Sequence, residues 1–68
     1  MTKQQAVRNL IELSGCVNQT EFAIKHGVTQ QRISEWLRGI RNISNGNLEE
    51  IAKKEGYLLT IELKLEKL

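Results

Sequence analysis

The fold is decided by residues 19–38, which read QTEFAIKHGVTQQRISEWLR. This stretch predicts two short helices that are joined by a tight turn. Gly27 can adopt the positive φ angle of such a turn without steric cost, and Val28 would hold the turn from beneath. Thr29 can accept a hydrogen bond from a free amide of the second helix, so we expect that helix to begin at Gln30.

The two helices divide their side chains between an apolar face and a polar face. Ala23 supplies the small residue that two steeply crossing helices need where they touch. The side chains expected to face the core are Phe22, Val28, Ile33 and Trp36. The side chains on the opposite face of the second helix and its cap are Thr29, Gln30, Gln31, Ser34, Glu35 and Arg38. Such a polar face suits the major groove of DNA, because a helix-turn-helix presents the first residues of its second helix to base edges.

This stretch resembles the helix-turn-helix of lambdoid phage repressors and Cro proteins, the group called XRE-like. The matching residues are Gln19, Ala23, Gly27, Val28, Thr29, Gln30, Gln31, Ile33, Ser34 and Gly39. The resemblance covers residues 6–56, and it implies a mostly α domain of four helices with a short C-terminal strand. His26 departs from the pattern, because that position is usually apolar in the family.

Capping signals place the other helices. Thr2 and Gln5 form a capping box, which predicts a first helix that runs to Ser14 and ends at Gly15. Its apolar stripe consists of Ala6, Val7, Leu10, Ile11 and Leu13. Asn18 is the expected cap of the first motif helix.

The second half of the chain continues this pattern. Residues 30–37 should form the second motif helix, and residues 42–46 should form a loop. Asn47, with Glu50 three residues later, predicts the cap of a fourth helix that ends at Gly56. The buried side of this helix should consist of Leu48, Ile51 and Ala52.

Residues 57–65 change to the period-two alternation of a β-strand. The alternating apolar residues are Tyr57, Leu59, Ile61, Leu63 and Leu65. A helix is the competing interpretation, because Leu, Glu and Lys are good helix formers. No other segment of the sequence suits as a partner strand, so we expect residues 57–65 to pair with their own copy across the two-fold axis of a homodimer. Cro-like proteins and some antitoxins of the family look similar in ending with such a strand.

Length and composition predict one domain, residues 1–68, with a core close to the lower size limit for independent stability. The net charge of +2 neither shows nor excludes nucleic-acid binding. Cys16 is the single cysteine, so the sequence allows no internal disulfide. No apolar run approaches the roughly 18 residues of a membrane helix, and no signal-peptide pattern is present. We therefore expect a cytoplasmic protein of a bacterial cell or a phage-infected host.

Five residues of the second motif helix are candidates for contacts with DNA bases. They are Gln30, Gln31, Arg32, Ser34 and Glu35. A glutamine can pair with adenine through two hydrogen bonds, and the resemblance implies base-reading residues at the positions of Gln30 and Gln31. A solvated helix start is the alternative for the two glutamines. Glu35 could accept from cytosine or restrain a nearby arginine.

A second group of residues is expected to contact DNA phosphates. Its members are Gln19, Thr29, Arg38, Arg41, Asn45 and Asn47. The resemblance implies that Gln19 contacts the DNA backbone, where the first amides of a helix also favour a phosphate. Arg38 and Arg41 follow the second motif helix, although an ordinary surface charge would also explain them. For Asn47, helix capping alone would be sufficient.

The remaining distinctive residues indicate structure and not chemistry. Trp36 is expected in the core, and His26 should be partly buried or close to the C-terminal end of its helix dipole. One histidine and one cysteine cannot build a zinc site, so the sequence predicts no metal, no cofactor and no catalytic constellation.

Together these patterns predict a Cro-like repressor that binds a palindromic operator in double-stranded DNA as a homodimer, and they do not indicate an enzyme. The alternative is the antitoxin of a toxin–antitoxin pair, which would bind its toxin and also regulate its own promoter. A third interpretation is a degenerate domain that only dimerises. The polar face of the second motif helix argues against that interpretation.

Overall fold

Residues 1–60 and 62–68 are described by a computed structural model, in which they form four helices and a two-stranded sheet. The elements in chain order are α1 (Lys3–Ser14), α2 (Gln19–His26), α3 (Gln30–Arg38), α4 (Asn45–Lys54), β1 (Tyr57–Leu59) and β2 (Leu65–Lys67). The predicted mostly α fold, with a helix-turn-helix and β structure at the C-terminal end, is confirmed.

The first three helices begin at the caps that the sequence predicts. Thr2 and Gln5 form a reciprocal capping box, with hydrogen bonds of 2.9 and 3.2 Å. The side chains of Asn18 and Thr29 each accept a hydrogen bond from the amide of the third residue of α2 and α3, at 2.9 and 3.1 Å. These bonds satisfy amides for which the helices themselves provide no acceptor.

The fourth helix begins earlier than predicted, and its cap is Ser44 and not Asn47. Oγ of Ser44 accepts a hydrogen bond from the N–H of Asn47 at 3.2 Å. Asn45 and Gly46 therefore belong to the first turn of α4 and not to a loop. The prediction was wrong because it gave weight to an acidic residue three positions after the cap, whereas a cap requires only a side-chain acceptor and a free amide.

The helices enclose one apolar core. Its buried residues are Ala6, Val7, Leu10, Phe22, Ala23, Ile33, Trp36, Ile43, Leu48, Ile51 and Ala52. Partly buried helix and loop residues that pack against it are Ile11, Cys16, Val28 and Leu37. Leu13 departs from the predicted stripe of α1, because it is 50% exposed beside an open depression that it shares with Met1 and Leu65.

The C-terminal β structure is a hairpin within one chain. β1 and β2 are antiparallel, with Leu59 opposite Leu65, and the N–H of Thr60 donates to the C=O of Lys64 at 2.9 Å. The predicted single strand over residues 57–65 is therefore wrong, and so is the inference that it had no partner in its own chain. Leu63 explains the error, because it has φ 59° without being one of the residue types that usually signal a turn.

Four apolar residues of the alternating stretch contact the core of the chain, which the sequence analysis did not predict. Tyr57, Leu59, Leu63 and Leu65 are partly buried and pack against the core of their own chain. A contact of these four side chains with a second subunit stays a prediction. The fifth predicted residue, Ile61, lies outside the described residues.

His26 is buried, and it forms a pair with a carboxylate that is distant in sequence. Its Nε2 lies 2.6 Å from Oε2 of Glu55, and the two side chains are 0% and 5% exposed. The other oxygen of Glu55 accepts a hydrogen bond from Nζ of Lys25 at 2.9 Å, and this bond raises the pKa of Lys25. The ring of Phe22 packs against the imidazole at 4.4 Å between centroids. This cluster joins the end of α2 to the end of α4.

We predict that replacing Glu55 with alanine lowers the free energy of unfolding by about 1–3 kcal/mol, because Nε2 of His26 would lose its partner where water has no access. Urea denaturation followed by circular dichroism measures this change. Glu50→Ala, at an exposed position of α4, is the matched control and should change the free energy by less than about 0.5 kcal/mol. Equally small changes for both variants would contradict this account of the pair.

Candidate nucleic-acid interface

The turn between α2 and α3 sets the position of α3. Gly27 has φ 67° and closes α2, and the N–H of Val28 donates to the C=O of Ala23 at 3.0 Å. Ala23 is buried against the core, as expected for a small residue at a helix crossing. The chain can then restart at Thr29, whose side chain caps α3. A short and well-bonded turn of this kind leaves α3 little freedom relative to α2.

Burial of one face of α3 determines which face is displayed. Ile33 and Trp36 are buried in the core, where α3 packs against α1 and α2. The prediction that Trp36 belongs to the core is confirmed. Because the helical period is 3.6 residues, Gln31 lies opposite the buried face of the helix, and Gln30 and Ser34 lie on the side between the two faces. The first two are exposed and Ser34 is half-buried.

The displayed face of α3 forms one wall of a shallow depression of about 460 Å³, which we call the α3 depression. Its lining residues are Gln19, Gln30, Gln31, Ser34, Glu35, Arg38 and Ile40. Gln19 belongs to α2, so the depression spans both helices of the motif. Amide, hydroxyl, carboxylate and guanidinium groups are thus collected on one surface, as recognition of hydrogen-bonding groups requires.

Most of the predicted base-contacting residues lie together in this depression. Gln30, Gln31, Ser34 and Glu35 line it, whereas Arg32 is exposed but lies outside it. The backbone N–H of Arg32 donates to Oγ1 of Thr29, the capping residue of α3. Four of the five predicted base-contacting residues therefore form one cluster, and Arg32 lies outside that cluster.

The predicted phosphate-contacting residues are more dispersed. Gln19 and Arg38 line the α3 depression, and Thr29 precedes it at the start of α3. Arg41 is exposed, and its Nε lies 3.7 Å from Oε1 of Glu35. This distance fits the restraining role that the sequence allowed for Glu35.

The two asparagines of the phosphate set lie farther along the chain, in the first turn of α4. Both Asn45 and Asn47 are exposed. Asn45 lines a second depression that includes Leu59 and Thr60 of the hairpin, so it does not share the α3 depression. The backbone N–H of Asn47 donates to Oγ of Ser44, the capping residue of α4.

One lining residue, Ile40, was missed by the sequence analysis. It follows Gly39, which ends α3 with φ 75°. Two side chains from the start of α1 hold this region, because Nζ of Lys3 donates to the C=O of Ile43 at 3.1 Å and Nε2 of Gln4 donates to the C=O of Leu37 at 3.3 Å. The position directly after a helix-ending glycine was the signal that could have drawn attention to Ile40.

Comparison with known proteins places these features in a family. The family model described as helix-turn-helix matches residues 17–54, which is more than half of the chain and includes α2, α3 and α4. No curated protein and no solved structure matched the chain. Among the described residues, every helix is too short or too polar to cross a membrane. Domains of the matched family bind DNA in regulatory proteins and are not typically enzymes. The chain therefore belongs to the XRE type of the helix-turn-helix family and is a DNA-binding regulator.

Proposed function

We propose that this protein is a Cro-like transcription repressor that binds a near-palindromic operator as a homodimer. The observation that carries the proposal is the α3 depression, in which Gln30 and Gln31 stand exposed at the start of a helix whose opposite face is buried. A side chain at the start of such a helix can reach base edges in the major groove without the helix having to move.

The chemistry of the depression suits direct reading of base edges. A glutamine amide donates and accepts at once, so Gln30 and Gln31 can each pair with adenine through two hydrogen bonds. The hydroxyl of Ser34, one turn after Gln30, can donate or accept. The carboxylate of Glu35 can accept from cytosine, and its pair with Arg41 is exposed enough to be exchanged for other contacts.

The surroundings of the depression suit the DNA backbone. Gln19 lies at the start of α2, where free amides favour a phosphate, and Arg38 lies at the end of α3. The Oγ1 of Thr29 accepts the capping hydrogen bond, so its own O–H remains available to donate to a phosphate. Phosphate contacts set the register, and the glutamines then set the sequence preference.

The charge distribution supports the same orientation on DNA. Around α3 the exposed charged residues include Arg32, Arg38 and Arg41. Exposed acidic residues of α4 and the hairpin include Glu49, Glu50, Glu62 and Glu66. The exposed lysines of the same elements, Lys53, Lys54, Lys64 and Lys67, equal these acidic residues in number, so α4 and the hairpin are close to neutral and the attraction for DNA is strongest at α3.

The proposed homodimer forms through the hairpin, but through a different face from the one that the sequence predicted. Leu58 is 44% exposed on the outer face of β1, opposite Glu66 and beside Lys53. Around a two-fold axis, Leu58 would meet its own copy, and Lys53 could pair with Glu66 of the other subunit. The Cα atoms extend 26 Å along the longest axis, so two subunits side by side can reach major grooves about 34 Å apart.

We predict that selection from random duplex DNA on the purified protein enriches one sequence with two related half-sites about one helical turn apart. Sequencing of the bound duplexes would report the half-site, the spacing and the symmetry together. If the bound and the starting duplexes have the same composition, the proposal of a sequence-specific repressor fails.

We predict that Gln30→Ala weakens binding to the selected duplex by about 1–3 kcal/mol and relaxes the preference at one base position per half-site. Fluorescence anisotropy with the selected duplex and with a shuffled duplex measures both effects. Arg38→Ala is the contrasting variant, because loss of a phosphate contact should weaken both duplexes alike and lower the salt dependence of log Kd by about one. Equal losses on both duplexes for Gln30→Ala would refute its role in base reading.

We predict that Leu58→Ser shifts the protein towards monomer in a sedimentation-equilibrium series, because it removes the apolar contact at the centre of the proposed interface. Val17→Ser is the matched control, since Val17 is also exposed and belongs to the segment before α2 and not to the hairpin. A wild-type protein that stays monomeric across the series, or equal behaviour of the two variants, would contradict the proposed interface.

A further inference from the structure

We propose that Ile40 reads the 5-methyl group of one thymine in each half-site of the operator. This inference rests on the proposed function and assigns to it a further specificity-determining residue. Ile40 is 67% exposed, and it is the apolar member of a depression whose six other lining residues are polar. An aliphatic side chain exposed among these polar groups would be removed from water on binding if it contacted an apolar group of the ligand.

The backbone around Ile40 is held firmly in place. The N–H of Gly39 donates to the C=O of Trp36 at 3.3 Å, and the N–H of Ile40 donates to the C=O of Glu35 at 3.0 Å. These two bonds form the Schellman motif that closes many helices. The N–H of Arg41 also points to the C=O of Glu35, at 3.4 Å. The segment that carries Ile40 is thus tied to the last turn of α3.

The side chain of Ile40 has no apolar partner at the position where a Schellman motif usually supplies one. In that motif, the residue after the glycine commonly packs on the residue whose carbonyl it binds. Here that residue is Glu35, whose carboxylate lies 3.7 Å from Nε of Arg41. Ile40 therefore stays exposed in the depression. Because isoleucine is branched at Cβ, its side chain has few rotamers to lose on binding.

Packing of Gln4 against Gly39 holds the backbone that carries Ile40 in this conformation. A Cβ at Gly39 would lie 2.6 Å from Nε2 of Gln4, so the side chain of Gln4 lies directly over the glycine. Nε2 of Gln4 also donates to the C=O of Leu37. The end of α3 is thus covered by α1, and Ile40 is left facing the depression.

The ligand group that fits Ile40 follows from the chemistry of the major groove. The edges of the four base pairs there consist of hydrogen-bond donors and acceptors and one apolar group, the C5-methyl of thymine. Gln30 and Gln31, which line the same depression, suit adenine. The thymine methyl can lie on the strand opposite an adenine that a glutamine reads, or on a neighbouring pair. Ile40 thus favours an A·T-containing half-site.

The experiment replaces each thymine of the selected duplex in turn with deoxyuridine, which removes the methyl group and leaves the hydrogen-bonding edge unchanged. Competition binding is measured for the wild-type protein, for Ile40→Ala and for the matched control Ile24→Ala, whose side chain is 76% exposed on α2 outside the depression. A shuffled duplex reports non-specific binding of each protein.

At one thymine per half-site, we expect deoxyuridine to weaken wild-type binding about four-fold, the effect of exposing one buried methyl group. Ile40→Ala should bind the thymine duplex more weakly and should show no further loss with deoxyuridine at that position. Ile24→Ala should respond to deoxyuridine as the wild type does. All three proteins should bind the shuffled duplex equally.

The results separate this inference from the function on which it rests. If the wild type selects and binds an operator but Ile40→Ala responds to every deoxyuridine as the wild type does, the role of Ile40 is wrong and the proposed repressor stands. A loss that Ile40→Ala shows equally on the shuffled duplex would also overturn it. If selection yields no preferred duplex, both proposals fail.

Discussion

The burial of Ile33 and Trp36 between α3 and the helices α1 and α2 is the constraint on which the rest of the structure depends. These two side chains fix the rotation of α3 about its axis. A rotation of half a turn would expose both to water and would bury Gln31, at the expense of its hydrogen bonds with water. The display of Gln31 is therefore a consequence of the apolar face.

A second constraint, the contacts of Glu55 with α2, links the helix-turn-helix to the end of α4. Glu55 ends α4 and contacts both Lys25 and His26 at the end of α2, and the hairpin begins two residues later. The imidazole of His26 is buried beside the ring of Phe22, so it occupies the place of an apolar side chain and adds a polar contact. The pair with Glu55 thus accounts for a histidine at this buried position.

The local features of this fold could be predicted from the sequence, because their causes are local. A capping side chain and its amide are three residues apart, and the glycine at a turn needs only its own φ angle. Thr2, Asn18, Thr29 and Gly27 therefore act where the pattern indicates. Ser44 and Asn47 are equally local candidates for the cap of α4, so the sequence pattern alone did not decide between them, and the structure begins α4 after Ser44.

The features that escaped prediction depend on distant contacts or on unusual backbone angles. His26 and Glu55 are 29 residues apart in sequence, so no short pattern links them. In the hairpin turn Leu63 has φ 59°, a conformation that leucine seldom adopts, so the sequence carried no sign of the turn. In the candidate site, the polar residues of α3 were predictable from helical period, whereas Ile40 joins them only through the backbone that follows Gly39.

The central claim is that the polar face of α3 meets the bases of DNA, and nuclear magnetic resonance tests it most directly. The selected duplex would be titrated into ¹⁵N-labelled protein while the side-chain amide signals of Gln30 and Gln31 are followed. We expect large shifts for these signals and for the backbone amides of the first turn of α3, with small shifts over residues 49–54 of α4. Unchanged glutamine signals, with the largest shifts in α4 or the hairpin, would contradict it.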